Sequence, residues 1–405
     1  MIKAVIAITV LLISYFVYGF YISQYEISVV PRKLKGGDNP SGYYDYRGVI
    51  NVHSNISIGS SSPVQIAAAA KSAGLDFFVL TDLNAFENNV HNDSYSQSVL
   101  FLAGGKYSYL DSRLIFYSPN KELIGKNLGE AQIRFADMLT QSEGGNKDSL
   151  TILAHPFKLG FSWSGDLPPG LDGVEVLNVK SLSVQAWTHS KASVIWSLLI
   201  YPFNPEFSLA RLFLEPTEEF SLFDRSSAQQ KLFAYAGAEA SARAIPLANY
   251  LIRFPSYQRN FEIATNHVLL TSELTGNLNS DRQKIFTALK KGQFYLAFDA
   301  LGDPKGFVTT LEDKSGRTYM MGSEVKFQKG MTLNVKLPSK PKSFFEIVIY
   351  RNGERVKTIN QAELSEPLTE PGVYRVQVRI AVPMPLPDAN RWISWIYSNP
   401  FYVRP

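Results

Sequence analysis

"GVINVHSNISIGSSSPVQIAAAAKSAGLDFFVLTDLN", Gly48 to Asn84, decides how the chain is read. "GVINVHS" has the apolar content of a strand, "SPVQIAAAAKSAG" that of a helix closed by a glycine, and "DFFVLTD" is a second strand. A strand, helix, strand unit predicts parallel pairing and an α/β architecture. At the C-terminal end of a parallel strand, side chains two apart point the same way, which sets Asn51 and His53 toward one site.

The same texture continues to about Leu301, with strands "TILAHP", "GVEVLN", "LFAYAGAE" and "HVLLTS" and the helix "SDRQKIFTALKKG". Beyond Gly302, "TLNVKLP", "FFEIVIYRNGERVKTI" and "GVYRVQVRIAV" alternate apolar and polar residues, and Asn352-Gly353 is the turn signal of a tight hairpin. Residues 302–405 therefore read as a small all-β sandwich, and residues 46–301 as the α/β domain.

Ahead of both, "AVIAITVLLISYFVYGFYI" carries no charge from Ala4 to Ile22 and matches the bilayer's hydrocarbon thickness as a helix. It ends in Tyr18, Phe20, Tyr21 and Tyr25 instead of the small residues of a cleavage site, so residues 1–24 read as an uncleaved transmembrane anchor and residues 25–45 as a linker. The expected product is a single-pass membrane protein with its body outside the cytoplasm. Net charge is only +4 over 405 residues with no basic cluster, which argues against a nucleic-acid partner. With no cysteine, disulfides, thiolate metal sites and a thiol nucleophile are excluded. The interrupted apolar stretch Ser193 to Pro216 reads as a pair of helices packed on the barrel, with contact at the membrane interface as the alternative.

The motifs fall into a pattern. Asn51, His53 and Ser54 stand in the places of an H-x-H-[ST] motif, and "AGLDFFVLTDLN" in those of an apolar strand ending in T-D-H. "AGGKYS" (103–108), "ILAHPF" (152–157) and "AGAEASA" (236–242) follow at matching spacings. From Gly48 to Asp299 the chain thus resembles the polymerase and histidinol phosphatase (PHP) superfamily, and the β tail resembles the C-terminal domain of some membrane-associated members. The resemblance implies a distorted (β/α)7 barrel with up to three zinc, manganese or iron ions that activate water for phosphoester hydrolysis.

Carried over residue by residue, the resemblance leaves His53, Asp82, His155 and Glu239 as metal-ligand positions and removes the others. Asn51 replaces a histidine, Leu83 the histidine of T-D-H, Ser241 the final histidine, and Gly59 an aspartate found in many members. Lys106 replaces a metal-bridging glutamate. An ammonium about 4 Å from a cation meets repulsion of roughly 4 kcal/mol per unit of metal charge at an effective dielectric near 20. Lys106 is instead expected to pair with Asp82.

His53 and His155 read equally well as buried, hydrogen-bonded histidines, and Asp82 as a cap. Glu175 reads as structural, His91 and His189 as loop residues, and His267 as a strand-end residue that could line a pocket. The expected function is a non-catalytic binding or scaffolding protein at the cell envelope, with no cofactor and a phosphorylated or sugar-like ligand or an envelope protein as partner. The alternative is a hydrolase holding at most one divalent zinc, manganese or iron ion.

Overall fold

Helix α1 (Ile2–Ser23) leads into the body, where the unit read from Gly48 to Asn84 folds as β1 (Tyr44–Val52), α2 (Pro63–Ser72) and β2 (Phe77–Leu83). A computed structural model describes residues 1–30, 42–86, 92–120, 124–140, 148–247 and 250–405. His91 and residues 31–41 of the expected linker lie outside them. Helix α2 starts where it does because Ser62 and Gln65 cap each other reciprocally, with Pro63 in the first turn.

Strands β3 (Ser94–Ser96), β4 (Val99–Tyr109), β5 (Ser112–Tyr117), β6 (Leu150–Ala154), β7 (Gly173–Asn178) and β8 (Phe233–Ala240) follow. β8 returns to pair with β1, Ile50 opposite Gly237 and Val52 opposite Ala240. This closes a barrel of β1, β2, β4, β5, β6, β7 and β8, with β3 attached to the outside of β4. The uniform (β/α)7 expectation needs correction here, because the barrel is mixed. β5 runs antiparallel to both neighbours. Only Leu110 and Asp111 separate β4 from β5, too few residues for a parallel crossover, and Leu110 takes the positive φ of the turn.

Helix α3 (Leu128–Thr140) lies between β5 and β6, and α4 (Val179–His189), α5 (Lys191–Ile200), α6 (Pro205–Ala210) and α7 (Thr217–Ser227) between β7 and β8. The Ser193 to Pro216 stretch thus forms helices, as expected. After β8 come the hairpin β9 (Arg243–Leu247) and β10 (Tyr250–Phe254), helix α8 (Tyr257–Phe261), and β11 (Thr265–Leu270) and β12 (Phe294–Ala297), which extend the sheet from β1.

The tail contributes β13 (Val308–Glu312), β14 (Thr318–Met320), β15 (Glu324–Lys326), β16 (Thr332–Lys336), β17 (Phe345–Arg351), β18 (Glu354–Ile359), β19 (Glu363–Pro367), β20 (Gly372–Val382), β21 (Arg391–Ser398) and β22 (Phe401–Arg404). Asn352 and Gly353, both at positive φ, turn β17 into β18 as the sequence predicts. β21 pairs with β12, so one sheet runs unbroken from barrel to tail. The strands β14, β13, β16 and β19 form a separate sheet.

His267 sits near the start of β1, opposite Arg47, whereas Asn51 and His53 lie at its end. Four to six residues of strand, about 13 to 20 Å, separate the two levels, so His267 does not line the pocket that the other residues form. It is fully buried, with Nδ1 2.8 Å from Asp45 and Nε2 3.0 Å from Asp299. Arg47 flanks Asp299 at 3.4 Å, and the ring stacks on Tyr295, whose hydroxyl donates to Asp45. Burial opposes the charged imidazole, but the two carboxylates prevail and raise its pKa to about 9.

A group whose pKa rises on folding stabilises the fold fully below its unfolded value, here about 6.5, and loses that contribution as pH climbs through the folded value. Denaturant unfolding of the full chain in detergent should therefore show stability falling between pH 6.5 and about pH 9, by on the order of 3 kcal/mol. His267→Asn should be less stable at pH 6 and should lack that alkaline decline. An unchanged slope in the variant would refute the assignment.

Candidate ligand pocket

The C-terminal ends of β1, β2, β6 and β8 and the middle of β4 deliver the residues singled out from the sequence. His53 follows β1, its amide donating to the Ala240 carbonyl (2.9 Å) while its own carbonyl accepts from Tyr257 of α8 (2.6 Å). A Cβ on Gly59 would lie 2.1 Å from that carbonyl oxygen. An aspartate there could not be accommodated without moving the loop, so the change at residue 59 alters backbone path as well as charge.

Asn51, His155 and Glu239 all adopt positive φ, at 62°, 34° and 42°. Strained backbone at three strand ends around one point is what a built site shows. His53, Asn51, Lys106, His155 and Glu239 are all almost completely buried.

Lys106 does reach into this cavity, but the carboxylate that meets it belongs to Glu239 and not to Asp82. Its Nζ donates to Glu239 Oε1 at 3.4 Å and to Asn51 Oδ1 at 3.1 Å. Asp82 is taken by the loop after β1, accepting from the Ser54 amide (2.8 Å), the Ser54 hydroxyl (2.6 Å) and the Ser57 hydroxyl (2.5 Å). Glu175 is fully buried and accepts from Asn51, the His155 amide and Asn178 at 2.8–2.9 Å, a structural role as expected.

A second cation escaped the sequence reading. Lys158, three residues past His155 and one-fifth exposed, also donates to Glu239 Oε1. The exposed Lys180, at the start of α4, lies within electrostatic reach of the same carboxylate. Burial pushes the Glu239 pKa up, yet Lys106, His155, Lys158 and Lys180 outweigh it and hold the carboxyl below its ordinary range. Leu83, half-buried, lies opposite Lys106 on the neighbouring strand and has nothing to coordinate with. Ser241 contributes its carbonyl, which accepts from Ser60 and Tyr257. His189 is exposed at the end of α4.

The two surviving pocket histidines depart from the hydrogen-bonded reading. Both ring nitrogens of His53, both of His155, and Oε2 of Glu239 are buried without a hydrogen-bond partner. Burial first, then the Lys106 ammonium, lowers both imidazoles to about pKa 3, so each is neutral with one lone pair and one N–H. Water, an ion or a ligand could each meet these atoms.

The carboxylates that a metal centre would draw on are engaged within the protein. Glu239 Oε1 is shared by Lys106 and Lys158, and Asp82 is held by hydroxyls. For a divalent ion about 4 Å from Lys106, the repulsion would be roughly 8 kcal/mol at an effective dielectric near 20.

No protein-family model and no curated protein matches the sequence. Among solved structures, the chain is similar to a two-domain protein from Bacteroides vulgatus ATCC 8482 containing a predicted PHP-like metal-dependent phosphoesterase. The two share 13% identity at a TM-score of 0.36, over 90% of this chain and 99% of that one. A candidate metal-dependent phosphoesterase from Bifidobacterium adolescentis ATCC 15703 shares 11% identity over 51% of this chain and 92% of that one, at a TM-score of 0.28.

Removing the acidic partner of a buried ion pair strands the charge that met it, and Glu239 faces both Lys106 and Lys158. Glu239→Gln should lower unfolding stability by about 3 kcal/mol. Adding Lys106→Met should cost less than the sum of the two single changes, as a double-mutant cycle by denaturant unfolding will show. Strict additivity would mean that the pair carries no coupling.

Proposed function

We propose that the chain is a membrane-anchored PHP-type barrel whose pocket binds a small anionic ligand, a phosphorylated or sugar-phosphate-like molecule, and does not operate a metal cluster. The observation that carries this reading is the Lys106 ammonium held on Glu239 and Asn51 inside the cavity, beside imidazoles whose ring nitrogens have no partner. Lys106 and Lys158 both meet Glu239, with Lys180 within electrostatic reach, so this carboxylate is compensated without an ion. Lys158, partly exposed, and the imidazole N–H groups supply donors for a phosphate oxygen.

A second reading is a hydrolase with one divalent zinc, manganese or iron ion. The same free nitrogens of His53 and His155, with Glu239 Oε2, favour it. The Bacteroides protein is described as containing a predicted metal-dependent phosphoesterase and the Bifidobacterium protein as a candidate one, though likeness at that distance does not choose between the two readings.

Elemental analysis and calorimetry on the full chain, purified in detergent without chelators, separate them. The binding reading expects metal well below one ion per chain, inorganic phosphate binding that Lys158→Ala weakens about tenfold, and p-nitrophenyl phosphate left intact. Stoichiometric zinc, manganese or iron, lost together with p-nitrophenyl phosphate hydrolysis in His155→Ala, would establish the hydrolase instead.

A further inference from the structure

α1 is long and apolar enough to cross a bilayer, and its surface is mostly uncovered. Its last two turns, however, are built into the body. A Cβ on Gly19 would lie 2.4 Å from the ring of Phe203, so this glycine allows the ring against the helix backbone. Tyr15 donates to the Leu199 carbonyl at the end of α5 (2.8 Å), and its ring meets Phe203 edge-on. On the other side, Tyr18 donates to the Leu386 carbonyl (2.5 Å) in the turn between β20 and β21.

The end of the helix is tied down as well. Asn204 caps α6 with its side-chain oxygen and with its amide donates to the carbonyls of Ile22 (3.0 Å) and Tyr25 (2.8 Å).

The geometry of α1 leaves no slack. Its 22 residues rise about 33 Å, against a hydrocarbon core of about 30 Å. Tyr15 lies about 12 Å, and Tyr18 about 8 Å, before the C-terminal end at Ser23. Were the last two turns outside the bilayer, the remainder would span only about 20 Å and could not cross. Whatever touches Tyr15, Tyr18 and Gly19 therefore shares their depth.

The touching segments carry the surface such a depth requires. On α5, Ile195, Leu198 and Leu199 are about half exposed, and Leu386 is 77% exposed. Lys191, at the start of α5, is its only charged residue, next to the partly exposed Trp187. Arg211 and Asp388, the charged groups behind these segments, neutralise each other in a two-point ion pair at 2.6 and 2.7 Å.

On the premise that α1 crosses the bilayer, we infer that the C-terminal half of α5 and the turn at Leu386 are inserted in the same leaflet as the end of α1. The acyl chains of that leaflet cover Ile195, Leu198, Leu199 and Leu386. The body is embedded by three segments and is not merely tethered by one.

The absence of cysteine makes the test direct. Full-length single-cysteine variants Leu198→Cys, Leu386→Cys, Phe16→Cys and Val356→Cys, all at exposed positions, would carry spin labels in phospholipid nanodiscs. Collision with oxygen and with a water-soluble nickel chelate would then be compared. Labels at 198 and 386 should show a severalfold higher oxygen-to-nickel ratio than the label at 356 on β18, approaching that of 16 on α1. A nickel-accessible 198 and 386 beside a lipid-exposed 16 overturns the inference while leaving the span intact. Labels shielded from both reagents mean that protein covers the face, which also overturns it. A nickel-accessible label at 16 removes the premise itself, and the inference with it.

Discussion

A buried ammonium must find its counter-charge within reach of its own side chain, and in this barrel that requirement arranges the pocket around Lys106. Its position on β4 puts it opposite Leu83, and its amine reaches across the cavity to Glu239 on β8 and Asn51 on β1. Three strands that are not all neighbours are thereby joined at one point. The positive φ of Asn51 and Glu239 persists because the surrounding hydrogen bonds over-determine these positions. Asn51 serves both sides, accepting from Lys106 and donating to Glu175.

Buried histidines in this chain occupy opposite states for reasons visible in their neighbours. His267 has a carboxylate on each ring nitrogen and carries a charge. His53 and His155 have Lys106 nearby and no hydrogen-bond partner on any ring nitrogen, with Glu239 Oε1 4.0 Å from Nε2 of His155, and stay neutral. One arrangement is closed and self-sufficient, a brace where β1 meets β11. The other leaves bonding capacity unspent, which is the physical distinction between a structural histidine and one disposed toward a ligand.

How much of this was legible in the sequence depended on whether the cause was local. The β1, α2, β2 unit, its capping box and the Asn352-Gly353 hairpin follow from spacing and turn chemistry within a few residues. The reversed β5 was missed because the short β4 to β5 connection, Leu110-Asp111, lacks the glycine or asparagine that usually marks a tight turn. The motif spacing placed His53, His155, Glu239 and Lys106 near one another, as they lie in the fold, but did not give the partner of Lys106. Asp82 was already committed to Ser54 and Ser57, hydroxyls in the loop after β1 that read only as turn residues. Lys158 was open to detection as a cation three residues beyond a surviving histidine, but nothing in "HPFKLG" says that its side chain turns inward.

The pocket and the membrane-facing surface are linked by short pieces of chain. α4 begins at Val179, beside Lys180 on the pocket rim, and runs for 11 residues, about 16 Å, before Ser190 ends it and caps α5. At the far end of α5, Tyr201 packs edge-on against Phe254, the last residue of the hairpin that follows Glu239 and Ser241. Elements on both sides of the pocket thus meet the same helix. If α5 lies in the leaflet, its depth fixes the height of the pocket rim above the lipid surface to within about one helix length. A freely tethered barrel would sample all orientations, whereas an embedded one would hold Lys158 and Lys180 at a set distance from the headgroups. Such an arrangement suits a ligand that is presented at the membrane more than one that must be captured from bulk solution.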